Sequence, residues 1–134
     1  MATKTYTAFF PGGKKVDVNT GTFDIKTDQS RENGGDETAP EPFALFMASI
    51  VTCAGIYAKS FCITRDIPTD NMRLTQNIVR NQTTGLIESV NMMLHVDCDF
   101  PEKYDKAVLK AMNACSVKKQ LRDEIEFSVS IQRD

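Results

Sequence analysis

The sequence of 134 residues predicts an α+β fold, and three observations carry that prediction. Short β-favouring runs separated by turn residues fill the N-terminal quarter. An uncharged apolar run, Pro42 to Ala58, follows. Two period-two patterns, Met72 to Cys98 and Ile125 to Ile131, then flank one amphipathic helical stripe. Strands grouped apart from helices suit that architecture. The length fits a single domain, 1–134, with enough chain to bury a hydrophobic interior.

Tyr6 to Phe10, Lys14 to Val18 and Thr22 to Lys26 are separated by Pro11-Gly12-Gly13 and Asn19-Thr20-Gly21. Turn chemistry at that spacing predicts a small antiparallel meander. Asp28 to Glu41 is polar and glycine-containing, a surface loop of the length that often carries function. From Phe43 to about Arg65 the chain is apolar nearly all round until Lys59, with Gly55 its one glycine. A helix without a polar face has to be enclosed by protein.

Pro68 closes that helix. Met72, Leu74, Gln76 and Ile78 alternate, turn through Gln82-Thr83-Thr84-Gly85, and resume as Val90, Met92, Leu94, Val96 and Cys98, predicting a long hairpin with one buried face. Pro101 and Glu102 suit the start of a second helix. Its stripe of Tyr104, Val108, Ala111 and Cys115 would place Cys115 toward the core, at the helix end. Ile125, Phe127, Val129 and Ile131 alternate with Glu126, Ser128, Ser130 and Gln132 as a half-buried strand.

The charge balance of 16 basic against 18 acidic residues, net −2, offers no field to recruit nucleic acid or an anionic membrane. The uncharged run 42–58 is too short to span a bilayer comfortably and is diluted by Ser49, Thr52 and Gly55. The N-terminus, MATKTYTAFF, lacks the apolar core and cleavage site of a signal peptide, so a cytoplasmic location with reduced thiols is expected. There is no CxxC and a single histidine, His95, so no metal and no other cofactor is expected.

Four cysteines remain to be explained. Cys53 lies mid-helix among apolar neighbours, where a small buried hydrophobe is the commonest role. Cys62 is nine positions on, half a turn out of phase with it, and a poor disulfide partner. Cys98 falls on the apolar face of its strand, while His95 falls on the opposite, solvated face. Cys115 precedes Lys118 and Lys119, cations that could lower a thiol pKa on close approach. On these residues alone the four thiols are either core residues or redox groups.

Gly34-Gly35-Asp36-Glu37-Thr38-Ala39-Pro40-Glu41-Pro42, running into Leu45-Phe46-Met47-Ala48-Ser49-Ile50-Val51-Thr52-Cys53, resembles the glycine-pair, proline, apolar-helix, cysteine signature of the OsmC/Ohr family. Ala114-Cys115-Ser116-Val117 resembles its second cysteine motif, and the likeness is closer to the broad OsmC-like group than to the organic hydroperoxide branch. The resemblance implies antiparallel sheets wrapped around long central helices in an intertwined homodimer. It also implies a cysteine-based peroxidase of oxidative-stress defence, an enzyme activity the residues alone do not indicate. Cys53 would attack the peroxide and become a sulfenic acid, Cys115 would resolve it as a disulfide, and an external dithiol would restore both.

Relatives with this activity carry a glutamate after the proline and an arginine from the N-terminal strands. Here Phe43 follows Pro42, and those strands hold Lys14 and Lys15. Glu41 and Arg31 are the candidate supporting residues. The alternative the same comparison implies is a non-enzymatic OsmC-like protein that binds a small molecule or senses redox state.

Overall fold

The computed structural model describes residues 2–121 and 125–134, and these fall into two compact units, 1–48 and 49–134. In the first, β1 (Thr7–Gly12), β2 (Lys15–Asn19) and β3 (Asp24–Thr27) form the expected meander, antiparallel throughout in the order β1-β2-β3. Gly12 and Gly13 turn the first hairpin with φ of 138° and 56°, values that L-residues with side chains rarely adopt.

The loop after β3 is organised around a buried carboxylate. Asp28 has no solvent exposure, and its oxygens accept from the Gln29 N–H at 2.8 Å, the Thr38 N–H at 3.1 Å and the Thr38 hydroxyl at 2.8 Å. Lys15 approaches the same carboxylate at 3.9 Å and donates to Asp36 at 2.6 Å. These bonds hold Asp28 at about 2, well below the usual carboxylate range, with the Thr38 hydroxyl the largest cause.

The long apolar run becomes α1 (Pro42–Thr64), with Pro42 at the first helical position, where a missing N–H costs nothing. Its last turn closes through the Ile67 N–H, which donates to the Cys62 carbonyl at 2.9 Å, while Asp66 takes the left-handed φ of 56°. That is the αL ending usually given to glycine, and Pro68 stands just beyond it. By length and composition α1 could cross a membrane, with a mean hydropathy of 1.5 over its apolar window.

The second unit is built on a three-stranded sheet in the order β4 (Arg73–Arg80), β5 (Ile87–Val96), β6 (Glu126–Arg133). β4 and β5 form the expected hairpin, with Leu74 opposite Leu94 and Ile78 opposite Val90. β6 joins β5 in parallel, Phe127 beside Val90 and Ile131 beside Leu94, a pairing direction that the alternation pattern does not encode. The shared face of Val90, Met92, Leu94 and Val96 is buried against Ile50, Ala54, Ala58, Phe61 and Cys62 of α1. Those five helix positions recur at intervals of four, four, three and one, the stripe a helix presents to one side.

Between β5 and β6 the chain forms a 3-10 turn, Glu102–Tyr104, then α2 (Asp105–Asn113), then the single turn α3 (Ser116–Lys119). The second helix is therefore shorter than its sequence stripe predicts. Val108 and Met112 of α2 enter the core, but the helix stops before Cys115. Arg133 at the end of β6 forms a bidentate ion pair with Asp105 at the start of α2, its Nη1 at 2.8 Å from Oδ2, tying that strand to that helix.

Candidate functional site

Two of the predicted residues are brought together within the second unit. Cys53, half-buried on α1, and Cys115, 2% exposed at the junction of α2 and α3, lie close enough for the first to shift the titration of the second. Both remain free, unlinked thiols. The junction is an unusual place for a cysteine. Ala114 ends α2, and Cys115, at φ −60° and ψ 143°, starts the next turn as its N-cap. Its sulfur accepts from the Lys118 N–H at 3.3 Å, the position a serine or aspartate oxygen commonly fills.

The electrostatics of Cys115 follow from that placement. Burial, the largest cause, pushes its thiol above the usual range; the Lys118 amide lowers it, and the neighbouring Cys53 thiol raises it again. The Lys118 ammonium, which the sequence offers as an activating cation, is the smallest of these causes. It donates instead to Asn113 Oδ1 at 2.7 Å and lies 5.2 Å from the centre of the Phe127 ring. The backbone of Lys118, more than its charge, acts on the sulfur.

The other candidates have occupations of their own. Glu41 Oε1 accepts from the Ser30 N–H at 2.9 Å and the Asn33 side chain at 3.2 Å, bonds that lower its carboxyl and fix the loop within the first unit. Arg31 is largely exposed and stands 3.9 Å from Glu37. Cys62 is fully buried in the core, its thiol pushed up by burial.

Cys98 corrects the strand reading. β5 ends at Val96, so Cys98 lies exposed in the following turn instead of on the apolar face. His95 is likewise not solvated: Arg73 donates to its Nδ1 at 3.2 Å, and its Nε2 lies 3.3 Å from the Thr75 hydroxyl. A guanidinium has only donors, and the Asp134 carboxylate stands 3.7 Å from the same ring nitrogen. Among the described residues, no three His, Cys, Asp or Glu side chains converge to hold a metal ion.

Sequence reasoning passed over Tyr57 at this site and gave Ser116 no role beyond its place in the second cysteine motif. Tyr57, one helical turn after Cys53, bonds through its hydroxyl at 3.1 Å to Oγ of Ser116, the residue next in sequence to Cys115. The i, i+4 spacing from Cys53 and the adjacency of Ser116 to Cys115 were the available signals.

With the paired thiols in place, the comparisons acquire a meaning. The family model described as OsmC-like protein matches residues 34–130, which include both cysteine motifs. The chain belongs to that family. No curated protein matches it. Among solved structures it is similar to an OsmC-like protein from Mycoplasma pneumoniae, with 12% identity, 98% and 97% of the two chains covered and a TM-score of 0.76.

A protein of Psychrobacter arcticus, provisionally named an osmotic stress induced and detoxification response protein, superposes with a TM-score of 0.81 at 17% identity, over 98% of each chain. An organic hydroperoxide resistance protein from Legionella pneumophila does so with a TM-score of 0.64 at 19% identity, again over 98% of each. At these identities the likeness establishes the OsmC-like α+β fold.

Proposed function

We propose that this OsmC-like protein is a thiol-dependent peroxidase for organic or hydrogen peroxides, working through Cys53 and Cys115. The observation that carries the reading is that the two thiols, one half-buried on α1 and the other buried at the α2–α3 junction, lie close enough for Cys53 to act on Cys115. Cys53, as thiolate, attacks the peroxide oxygen; the O–O bond breaks, the distal oxygen stays on sulfur, an alcohol leaves from an organic hydroperoxide or water from hydrogen peroxide, and Cys53 becomes a sulfenic acid. Cys115 then forms the S–S bond as the S–O bond breaks, and water departs with the proton of the Cys115 thiol. An external dithiol reduces the disulfide and is itself oxidised.

The raised pKa of Cys115 supports this division of roles, because a thiol that holds its proton is the poorer first nucleophile. One equivalent of organic hydroperoxide should convert reduced protein to a form with a Cys53–Cys115 disulfide, read by peptide mass spectrometry. Disulfides at Cys62 or Cys98 instead would defeat the assignment.

The proposal extends to the assembly. On α1, Ile56 and Ile63 are 54% and 61% exposed, and apolar helix surface of this kind calls for a covering partner. We take that partner to be a second copy, giving a homodimer in the cytoplasm with residues 1–134 acting as one OsmC-like domain, without nucleic acid or membrane. A second reading, a slow redox sensor, is favoured by the engagement of Glu41 with Ser30 and Asn33 and of Arg31 with Glu37. Rapid catalytic turnover with a dithiol distinguishes the peroxidase from the sensor, which would oxidise once and slowly.

A further inference from the structure

We propose that Tyr57 is a positioning residue for disulfide closure, acting through its hydrogen bond to Ser116; this rests on the reading of Cys53 and Cys115 as a reacting pair. Cys53 and Tyr57 are four residues apart on α1, hence neighbours on one helix face. Cys115 and Ser116 are consecutive at the α2–α3 junction. Two links, the pairing of the thiols and the Tyr57 hydroxyl to Ser116 Oγ bond at 3.1 Å, thus join the same two elements.

They differ in what happens during the reaction. As the Cys115 sulfur bonds to Cys53, it gives up the Lys118 N–H that it caps in the reduced form at 3.3 Å. The single turn of α3 then loses its side-chain cap at the moment the junction must hold still. The Tyr57–Ser116 bond involves no reacting atom and persists through the step. It keeps Cys115 within reach of the oxidised Cys53 sulfur, raising the effective concentration of the attacking thiol. Because the bond is partly solvated, its removal should slow closure by only about two- to fivefold, the range of a modest net hydrogen bond.

The test separates closure from peroxide chemistry. Reduced full-length protein is mixed with glutathione disulfide. The Cys53 thiolate displaces one glutathione thiolate and forms a mixed disulfide; Cys115 then displaces the second, so two glutathiones are released per S–S bond formed in the protein. The closure rate is read by quenched mass spectrometry for wild type, Tyr57→Phe, Ser116→Ala, the double variant and Ser116→Thr, each shown by thermal melting to be folded.

Expected are closure slowed about two- to fivefold in each single variant, no further slowing in the double, and recovery in Ser116→Thr, which keeps the hydroxyl. The rate of mixed-disulfide formation at Cys53 should be unchanged. Closure at the wild-type rate in both single variants, additive slowing in the double, or a wild type that never forms the Cys53–Cys115 disulfide would each overturn the proposal. A wild type that closes with glutathione disulfide yet ignores hydroperoxides would remove the peroxidase reading and leave this one standing.

Discussion

Gly34 and Gly35, a pair that sequence can only recognise as a motif, have separate physical reasons to be glycine. Gly34 sits at φ 88°, while a Cβ on Gly35 would lie 2.1 Å from the Gln29 carbonyl oxygen, an impossible approach to rigid backbone. Gly35→Ala should therefore open the 28–41 loop and speed its cleavage in limited proteolysis at neutral pH. Asp28 organises the same loop from the inside, and its pH dependence has a definite sign. The ionised form is the bonded one, so its contribution is complete above the ordinary value of 3.8 and disappears as pH falls toward about 2. Protection of the loop from an acid-active protease should hold from pH 7 to about 4, weaken progressively below that and be lost near pH 2, whereas Asp28→Asn should be cleaved throughout. At Cys115 the direction is opposite. Burial raises the thiol, so disulfide closure should keep accelerating as pH rises past the usual thiol range near 8.5. A closure rate that levels off near pH 7 would show that Cys115 is already ionised there.

At the scale of elements, the strands were the most legible because each buries one face and alternates accordingly. Leu94 shows what that face contributes: it is 1% exposed, lies opposite Leu74 across the hairpin, and belongs to the cluster that includes Ile50 of α1. Leu94→Ala should cost about 2–5 kcal/mol, read as a lower urea midpoint with an unchanged slope. Four features were hidden for identifiable reasons. The break before Cys115 has no proline or glycine to announce it; it depends on the cysteine sulfur capping the next turn, a role that oxygen-bearing side chains usually fill. The parallel direction of β6 leaves no mark on a period-two pattern, since either direction buries the same residues. Cys98 continues the alternation in sequence, but pairing stops at Val96, where the chain turns through Asp97 and Asp99. His95 is buried by Arg73, Thr75 and Asp134, partners 20 or more residues away.

For the whole molecule, the same apolarity that made α1 easy to find predicts its assembly. The helix has a buried stripe against the sheet, yet Ile56 and Ile63 are mostly exposed in the single chain. A homodimer covering them should sediment at twice the 15.0 kDa chain mass, and Ile56→Glu should shift it toward monomer while the second unit stays folded. The cysteine pair was legible as two motifs, but their proximity came from folding a helix and a remote junction together, and Tyr57 was marked only by its i, i+4 spacing from Cys53. The central claim is that these two thiols are a reactive pair. It is tested most directly by stopped-flow mixing of reduced protein with tert-butyl hydroperoxide, comparing wild type with Cys53→Ser and Cys115→Ser. Wild type should consume peroxide and end as the disulfide, Cys115→Ser should stop at a Cys53 sulfenic acid that dimedone traps, and Cys53→Ser should consume none beyond the background of free thiols. Equal, slow consumption by all three proteins would contradict the claim.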